Sequence, residues 1–309
     1  MFVAYINIIT MKRRDFLKNA GRVASSAAIL GSSSVVLNAA ETKPEKFPVH
    51  EIVEDELNAN LDKPLTAIVI GAGARGSIYT QYASLYPNSL KVVGVSDINE
   101  FRRNRMADQF HVPSENRMGD WSEVFKRPKF ADLVFITTPA LHYAPCMKAL
   151  EMGYHVLLEK PAAQTEKHCL DILHQAQRYN RIVAICHVLR YAPYFKALKD
   201  FVSSGKIGEL VSVQHLEPIE RIHFSHSYVR GNWNNSAKST PAAISKSCHD
   251  LDILRWIIDK PCKEVTAFGD LSFFKKAKAP KEATKRCLDC PIERQCAFSA
   301  KRIYYDNRS

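Results

Sequence analysis

The chain has no long run of basic residues, no basic helix interleaved with aromatics, and no apolar stretch clean enough to cross a bilayer. The first two absences argue against nucleic acid as a partner, although the formal charge is +11. Part of that charge sits at the start, where Lys12, Arg13, Arg14, Lys18 and Arg22 face only Asp15 in the first 40 residues. The third absence argues against a stable membrane span, because the stretch from Ala20 to about Leu37 is broken by Arg22 and many serines. A second Cys-x-x-Cys pair is also missing. Cys287-x-x-Cys290 and Cys296 stand alone, which leaves Zn²⁺ with a fourth ligand, a disulfide, or free thiols all open. What remains, 309 residues at 46% hydrophobic and 24% charged, is the composition of a globular protein of about two domains.

The N-terminal 40 residues read as a targeting segment. Lys12-Arg13-Arg14-Asp15-Phe16-Leu17-Lys18 resembles a twin-arginine signal, followed by a mildly apolar stretch and by Ala39 and Ala40 as a cleavage point. Met11 stands just before the basic residues and is the expected start. No Cys follows the apolar stretch, so no lipid anchor is indicated. The expected localisation is periplasmic, reached by the route that exports folded proteins. Residues 41–63, with Pro44 and Pro48, read as a flexible lead-in.

The most informative segment is Thr66-Ala-Ile-Val-Ile-Gly71-Ala-Gly73-Ala-Arg-Gly76. An apolar strand runs into Gly-x-Gly-x-x-Gly, then a helix-like stretch and a second strand ending at Asp97. The first glycine permits a tight turn, the second lets backbone approach a pyrophosphate, and the third lets the helix pack close to the sheet. Asp97 lies where a ribose-binding carboxylate belongs and favours NAD; Arg102 and Arg103 keep NADP open. Further short apolar strands alternate with helices up to Ile185, which predicts a doubly wound parallel sheet over residues 64–185. Gly71, Asp97, Thr137-Thr138-Pro139 and Glu159-Lys160-Pro161 all fall at strand ends and are expected to line one crevice.

These segments, with His142, make the chain similar to the glucose–fructose oxidoreductase/inositol dehydrogenase (Gfo/Idh/MocA) family. The resemblance implies that Lys160 sits beside the nicotinamide and the reacting carbon, where a lysine polarises a hydroxyl or helps move its proton. It implies a cis peptide before Pro161. It adds Ala74, Arg75 and Arg190 to the cofactor contacts and Tyr191 to the substrate contacts. His187 stays open between packing and ligand contact.

Residues 186–309 are expected to form an α+β domain whose mostly antiparallel open sheet also joins subunits into a homo-oligomer. Strands are expected around Leu210–Glu217, Val265–Phe268 and Leu271–Phe274. The chain stops at Ser309 with few strands for such a sheet, so further strands beyond it are expected. His223–Trp233 reads as a loop rich in aromatic and polar residues; Arg230 and Trp233 are the candidates there for clamping an acid or stacking on a sugar ring. Lys246–Trp256 reads as a helix. The resemblance assigns its His-x-x-Asp, His249 and Asp252, to the substrate, with His249 exchanging the hydroxyl proton. One departure stands out: relatives place Asp four residues before this His, whereas this chain has Ser245 followed by Lys246.

The expected fold is therefore α/β with a Rossmann-type sheet followed by an α+β domain. The expected function is an exported NAD(P)-dependent oxidoreductase acting on a secondary alcohol of a carbohydrate-like small molecule. Two rivals stay open: an NAD-dependent glycosidase working by transient oxidation, and a non-catalytic nucleotide-binding protein.

Overall fold

The computed structural model describes residues 37–38, 63–139, 141–235 and 239–306. The twin-arginine-like segment, the cleavage point at Ala39–Ala40 and residues 41–62 of the lead-in lie outside the described residues.

Six strands form one parallel sheet: β1 Leu65–Ile70, β2 Leu90–Ser96, β3 Arg117–Met118, β4 Leu133–Ile136, β5 His155–Leu158 and β6 Val183–Ile185. Their order is β3-β2-β1-β4-β5-β6. This is the Rossmann order, with its topological switch between β1 and β4. The connecting helices are α1 Ala74–Leu85, α2 Glu100–Gln109, α3 Trp121–Val124, α4 Tyr143–Glu151 and α5 Glu166–Arg178.

Strand side chains alternate between two cores, as a sheet covered on both faces requires. Ile68, Ile70, Val134, Ile136, Val156 and Leu158 pack with Cys146, Ala149 and Leu150 of α4 and Ile172 of α5. Ala67, Val69, Val92, Val95 and Phe135 pack with Ala83 of α1 and Met106 and Ala107 of α2. The helix starts follow local chemistry. Asn99 caps α2 by accepting from Arg102 N (3.0 Å), and Thr165 caps α5 by accepting from His168 N (3.2 Å). The buried face of α1 carries Gly76, Thr80 and Ala83, small residues that bring the helix close to the strands.

Beyond β6 the chain forms α6 Pro193–Ser203, α7 Arg221–Phe224, α8 Ala242–Ser245, α9 Cys248–Ile258 and α10 Ala300–Tyr304. The residues separate into two compact units. One holds the sheet and also takes in the described residues between Asn235 and His249. The other holds residues 190–234 and 250–306. In that second unit the aromatic segment expected as a loop is helical: α7 runs into a π-helical turn over Ser225–Arg230.

The strands expected at Leu210–Glu217 and Leu271–Phe274 carry no ladder in the described residues. Near Val265–Phe268 only Glu264–Val265 pairs, antiparallel, with Leu37–Asn38. Alternation of side chains marks a segment suited to a sheet face, but a strand also needs a ladder partner, and no described segment supplies one to 210–217.

The sheet core depends on the close approach at Gly76, where a Cβ would lie 2.2 Å from the Gly71 carbonyl oxygen. Gly76→Ala is therefore expected to lower unfolding free energy by about 1–3 kcal/mol, read as a drop in the denaturant midpoint. Gly73→Ala meets nothing within 4 Å and should leave that midpoint unchanged.

Candidate functional site

The parallel register builds the site. Ser96, Ile70, Ile136, Leu158 and Ile185 lie in one row across the sheet. The next residue of each strand, Asp97, Gly71, Thr137, Glu159 and Cys186, therefore forms the rim at the carboxyl ends. Backbone bonds hold that rim in place: Gly71 N to Ser96 O (2.8 Å), Thr137 N to Ile70 O (2.9 Å), Glu159 N to Ile136 O (2.9 Å) and Cys186 N to Leu158 O (2.8 Å).

The glycine turn suits a dinucleotide. Gly71 has φ +102°, and a Cβ there would lie 2.8 Å from the Thr137 backbone. The space beside Gly73 is open. Gly73 caps α1 without a side-chain hydrogen bond, and the first turn holds no acidic residue, so no side chain of that turn competes with an anion for its N–H groups. Ala74 and Arg75 are exposed in that turn. Asp97 braces the turn: its Oδ2 accepts from Ala72 N and its Oδ1 from Asn99 N, each at 2.7 Å. Arg103 Nη1 donates to the Asp97 carbonyl (2.9 Å). Thr137 Oγ1 donates to Gly71 O (2.6 Å), so this threonine supports the turn from below. Thr138 Oγ1 is buried with no hydrogen-bond partner among the described residues.

His142, expected as a cofactor contact, is instead a buried strut. Its two ring nitrogens lie 2.6 Å from Pro161 O and 2.5 Å from Thr138 O, tying the two strand-end loops together. The Lys160–Pro161 peptide is cis. Glu159 is 5% exposed and its Oε1 accepts from Tyr79 Oη (2.8 Å) and faces Arg75 Nε (3.5 Å); its Oε2 has no partner among the described residues. Burial, then Glu159, pushes the Tyr79 phenol upward. Burial also raises the Cys186 thiol to about 11. The sequence reading missed Tyr79. Its only signal is a position three residues after Gly76, on the helix side that returns to the sheet.

Lys160 and His249 come together inside the sheet unit. Lys160 Nζ donates to the Ser245 carbonyl oxygen (2.7 Å) across 85 residues of sequence. Burial lowers the Lys160 pKa, and Arg75 and Lys246 lower it further against the opposing pull of Cys248 and Glu159. Lys246 is the C-terminal cap of α8. His249 is 8% exposed in the first turn of α9, with Nδ1 lacking a hydrogen-bond partner among the described residues. Its ring stands edge-on to His187 at 5.8 Å. Burial pushes the His249 pKa down to about 4, helped by Lys160, His187, Lys246 and Arg75. At neutral pH it is an uncharged imidazole able to take a proton. His187 thus belongs with this cluster.

The remaining expected contacts belong to the second unit. Arg190 forms a two-pronged pair with Asp252, Nη2–Oδ1 at 2.6 Å and Nε–Oδ2 at 2.8 Å. Tyr191 is 70% exposed. Trp233 lies 6.3 Å from the Tyr228 ring. Arg230 donates to the Phe298 carbonyl and points Nη2 at Cys287 Sγ (4.0 Å), so the local fold engages it. None of the eight cysteines is in a disulfide. Among the described residues the one group of three ligating side chains drawn within 4.8 Å is His215, Glu217 and Asp250, which includes none of Cys287, Cys290 and Cys296. No helix among the described residues is long and apolar enough to cross a membrane.

Comparison with known proteins agrees with the rim geometry. Residues 65–187 match "Oxidoreductase family, NAD-binding Rossmann fold", and residues 195–287 match "GFO/IDH/MocA C-terminal domain". The chain is 25% identical to the putative oxidoreductase YteT of Bacillus subtilis over 68% of this chain and 51% of that protein. It is 28% identical to an inositol 2-dehydrogenase/D-chiro-inositol 3-dehydrogenase of Halalkalibacterium halodurans over 68% of this chain and 56% of that protein. The crystal structure of myo-inositol 2-dehydrogenase from Lactobacillus plantarum superposes with a TM-score of 0.55 at 20% identity, covering 64% of this chain and 57% of that one. The chain thus spans a little over half the length of these relatives. A glycine turn at the switch point, a carboxylate at the end of β2 and two family matches that follow one another along the sequence lead to one assignment: the chain belongs to the Gfo/Idh/MocA family of NAD-binding oxidoreductases.

Proposed function

We propose that this protein moves a hydride between NAD and a secondary alcohol of a sugar or sugar derivative. The observation that carries the reading is that half-buried Lys160 is held by the Ser245 carbonyl, four residues before buried His249, in the unit that carries the glycine turn. NAD, when bound, supplies the hydride acceptor or donor. The turn at Gly71–Gly76, Asp97, the Thr137–Pro139 loop and Glu159 would hold it. Lys160 uses one proton on Ser245 O and keeps others to donate to the substrate oxygen. His249 takes the hydroxyl proton in oxidation and returns it in reduction. Inositol dehydrogenases among the relatives support a polyol or sugar as the substrate.

The reading extends to place and assembly. The twin-arginine-like segment supports export to the periplasm, which implies a cofactor gripped before export and kept afterwards. The alternation at 210–217 supports a sheet face that joins copies of the chain. In the second unit, Tyr191, Trp233 and Asp252 are the substrate-side candidates and Arg190 the cofactor-side one.

Three outcomes test this proposal. The purified protein is expected to bind NADH, read as a change in NADH fluorescence, and Gly73→Ala to weaken that binding by about tenfold or more by obstructing backbone approach, with its unfolding midpoint as the control; no NADH binding by the parent protein overturns the reading. Lys160→Ala and His249→Ala lower kcat/KM across a polyol panel by about 10²–10⁴, with unchanged unfolding midpoints as the control; full activity in both removes the assignment. Because the base works uncharged, kcat/KM for oxidation rises with pH through the free-enzyme pKa of His249. At pH 5.5 an ordinary imidazole would be about nine-tenths protonated. This one, held near 4, should keep most of its activity there.

A further inference from the structure

The two oxygens of Glu159 are treated differently by the fold. The residue is 5% exposed, so little of it meets water. Its Oε1 accepts from Tyr79 Oη (2.8 Å) and faces Arg75 Nε at 3.5 Å. Its Oε2 is buried with no hydrogen-bond partner among the described residues. Leaving a carboxylate oxygen bare in the interior is costly, and such an oxygen calls for a donor from elsewhere.

The asymmetry has its source in α1. Arg75 and Tyr79 stand four residues apart, on one face of that helix, and both meet Oε1. They hold it unequally. Arg75 is half exposed and at the longer distance, where water competes for it. Tyr79 is partly buried and has a single O–H to give. Burial, and then Glu159, keep that phenol protonated well above the ordinary tyrosine range, so it is a dependable donor. A carboxylate that pivots about its last bond exchanges its two oxygens. A short bond to one of them stops the exchange.

Strand order says which part of a dinucleotide Glu159 meets. β1, which feeds the glycine turn, lies between β2 and β4. Asp97 follows β2 on one side of the turn. Glu159 follows β5, two strands away on the other side, and directly precedes Lys160. With a pyrophosphate at the turn, one riboside extends each way. The adenosine half belongs with Asp97 and the nicotinamide half with Glu159.

Resting on the reading of this rim as an NAD site, we infer that Tyr79 is a positioning residue for the nicotinamide half of the cofactor. Its hydroxyl fixes Oε1 of Glu159, which leaves Oε2 for a hydroxyl or amide donor of the nicotinamide riboside. Tyr79 stays off the cofactor and acts through Glu159. One helix then serves both parts of the ligand, the pyrophosphate through its first turn and the riboside through its second.

The test is titration calorimetry of NADH, and of ADP, which lacks the nicotinamide riboside. The proteins are the full chain, Tyr79→Phe, Glu159→Gln and the double variant, each with its ligand-free unfolding midpoint read as a control. Tyr79→Phe keeps the ring and removes one O–H. It is expected to weaken NADH about fivefold to tenfold and to leave ADP within about twofold. Glu159→Gln weakens NADH about tenfold or more. Adding Tyr79→Phe to it costs nothing further, because the effect runs through the carboxylate. NADH held by either single variant as tightly as by the parent overturns the inference. So do equal losses for NADH and ADP, or losses that add in the double variant, which are what a merely structural tyrosine gives. A parent that binds no NADH removes the NAD reading and this inference with it. A parent that binds NADH while the variants depart from these outcomes removes the inference alone.

Discussion

The in-register ending of neighbouring parallel strands is the constraint on which the rest depends. Because Ile70, Ile136, Leu158 and Ile185 share a row, the next residues share a rim, and each rim residue has backbone bonds fixed by the sheet rather than by a loop. A loop tolerates displacement of its side chains; a residue one step past a buried strand does not. The glycine turn, the strut at His142 and the hold on Glu159 are all consequences of that row.

The site above the rim is organised by desolvation. Burial alone lowers the proton affinity of both Lys160 and His249, and the clustering of cations lowers it further. An ion pair would have quenched this. The carbonyl at Ser245 does not, so the lysine stays oriented while its charge remains available. The result is a donor and a neutral acceptor within one unit, which is the minimum that proton exchange with an alcohol requires.

Much of this was readable from the residues because it is local. Four short apolar runs and a Gly-x-Gly-x-x-Gly fix strand ends, and strand ends fix the rim. The start of the helix carrying His249 was likewise announced by residue spacing. What sequence reasoning missed is set by packing over long separations. Nothing in the spacing of the described residues between 235 and 249 says that they fold with the sheet, because the link to Lys160 is a backbone carbonyl, at Ser245, which any residue type supplies. Tyr79 carries no motif of its own. His142 was a cofactor candidate through the resemblance, but both of its ring nitrogens face backbone carbonyl oxygens inside the fold. Arg230 was a candidate acid clamp because a guanidinium pairs well with a carboxylate, and here it is engaged by Phe298 O. The alternation at 210–217 was real, yet alternation names a face and not a partner.

The carboxylate of Asp97 is committed twice. One oxygen holds Ala72 N in the glycine turn and the other holds Asn99 N at the start of α2. The group that would discriminate against a 2′-phosphate is also a mechanical brace between two loops. Conversion of this chain to the phosphorylated cofactor therefore has no single-residue route: removing the charge at position 97 loosens the pyrophosphate turn at the same stroke. Cofactor choice in this scaffold is inherited together with the shape of the turn, and any change in preference has to rebuild both.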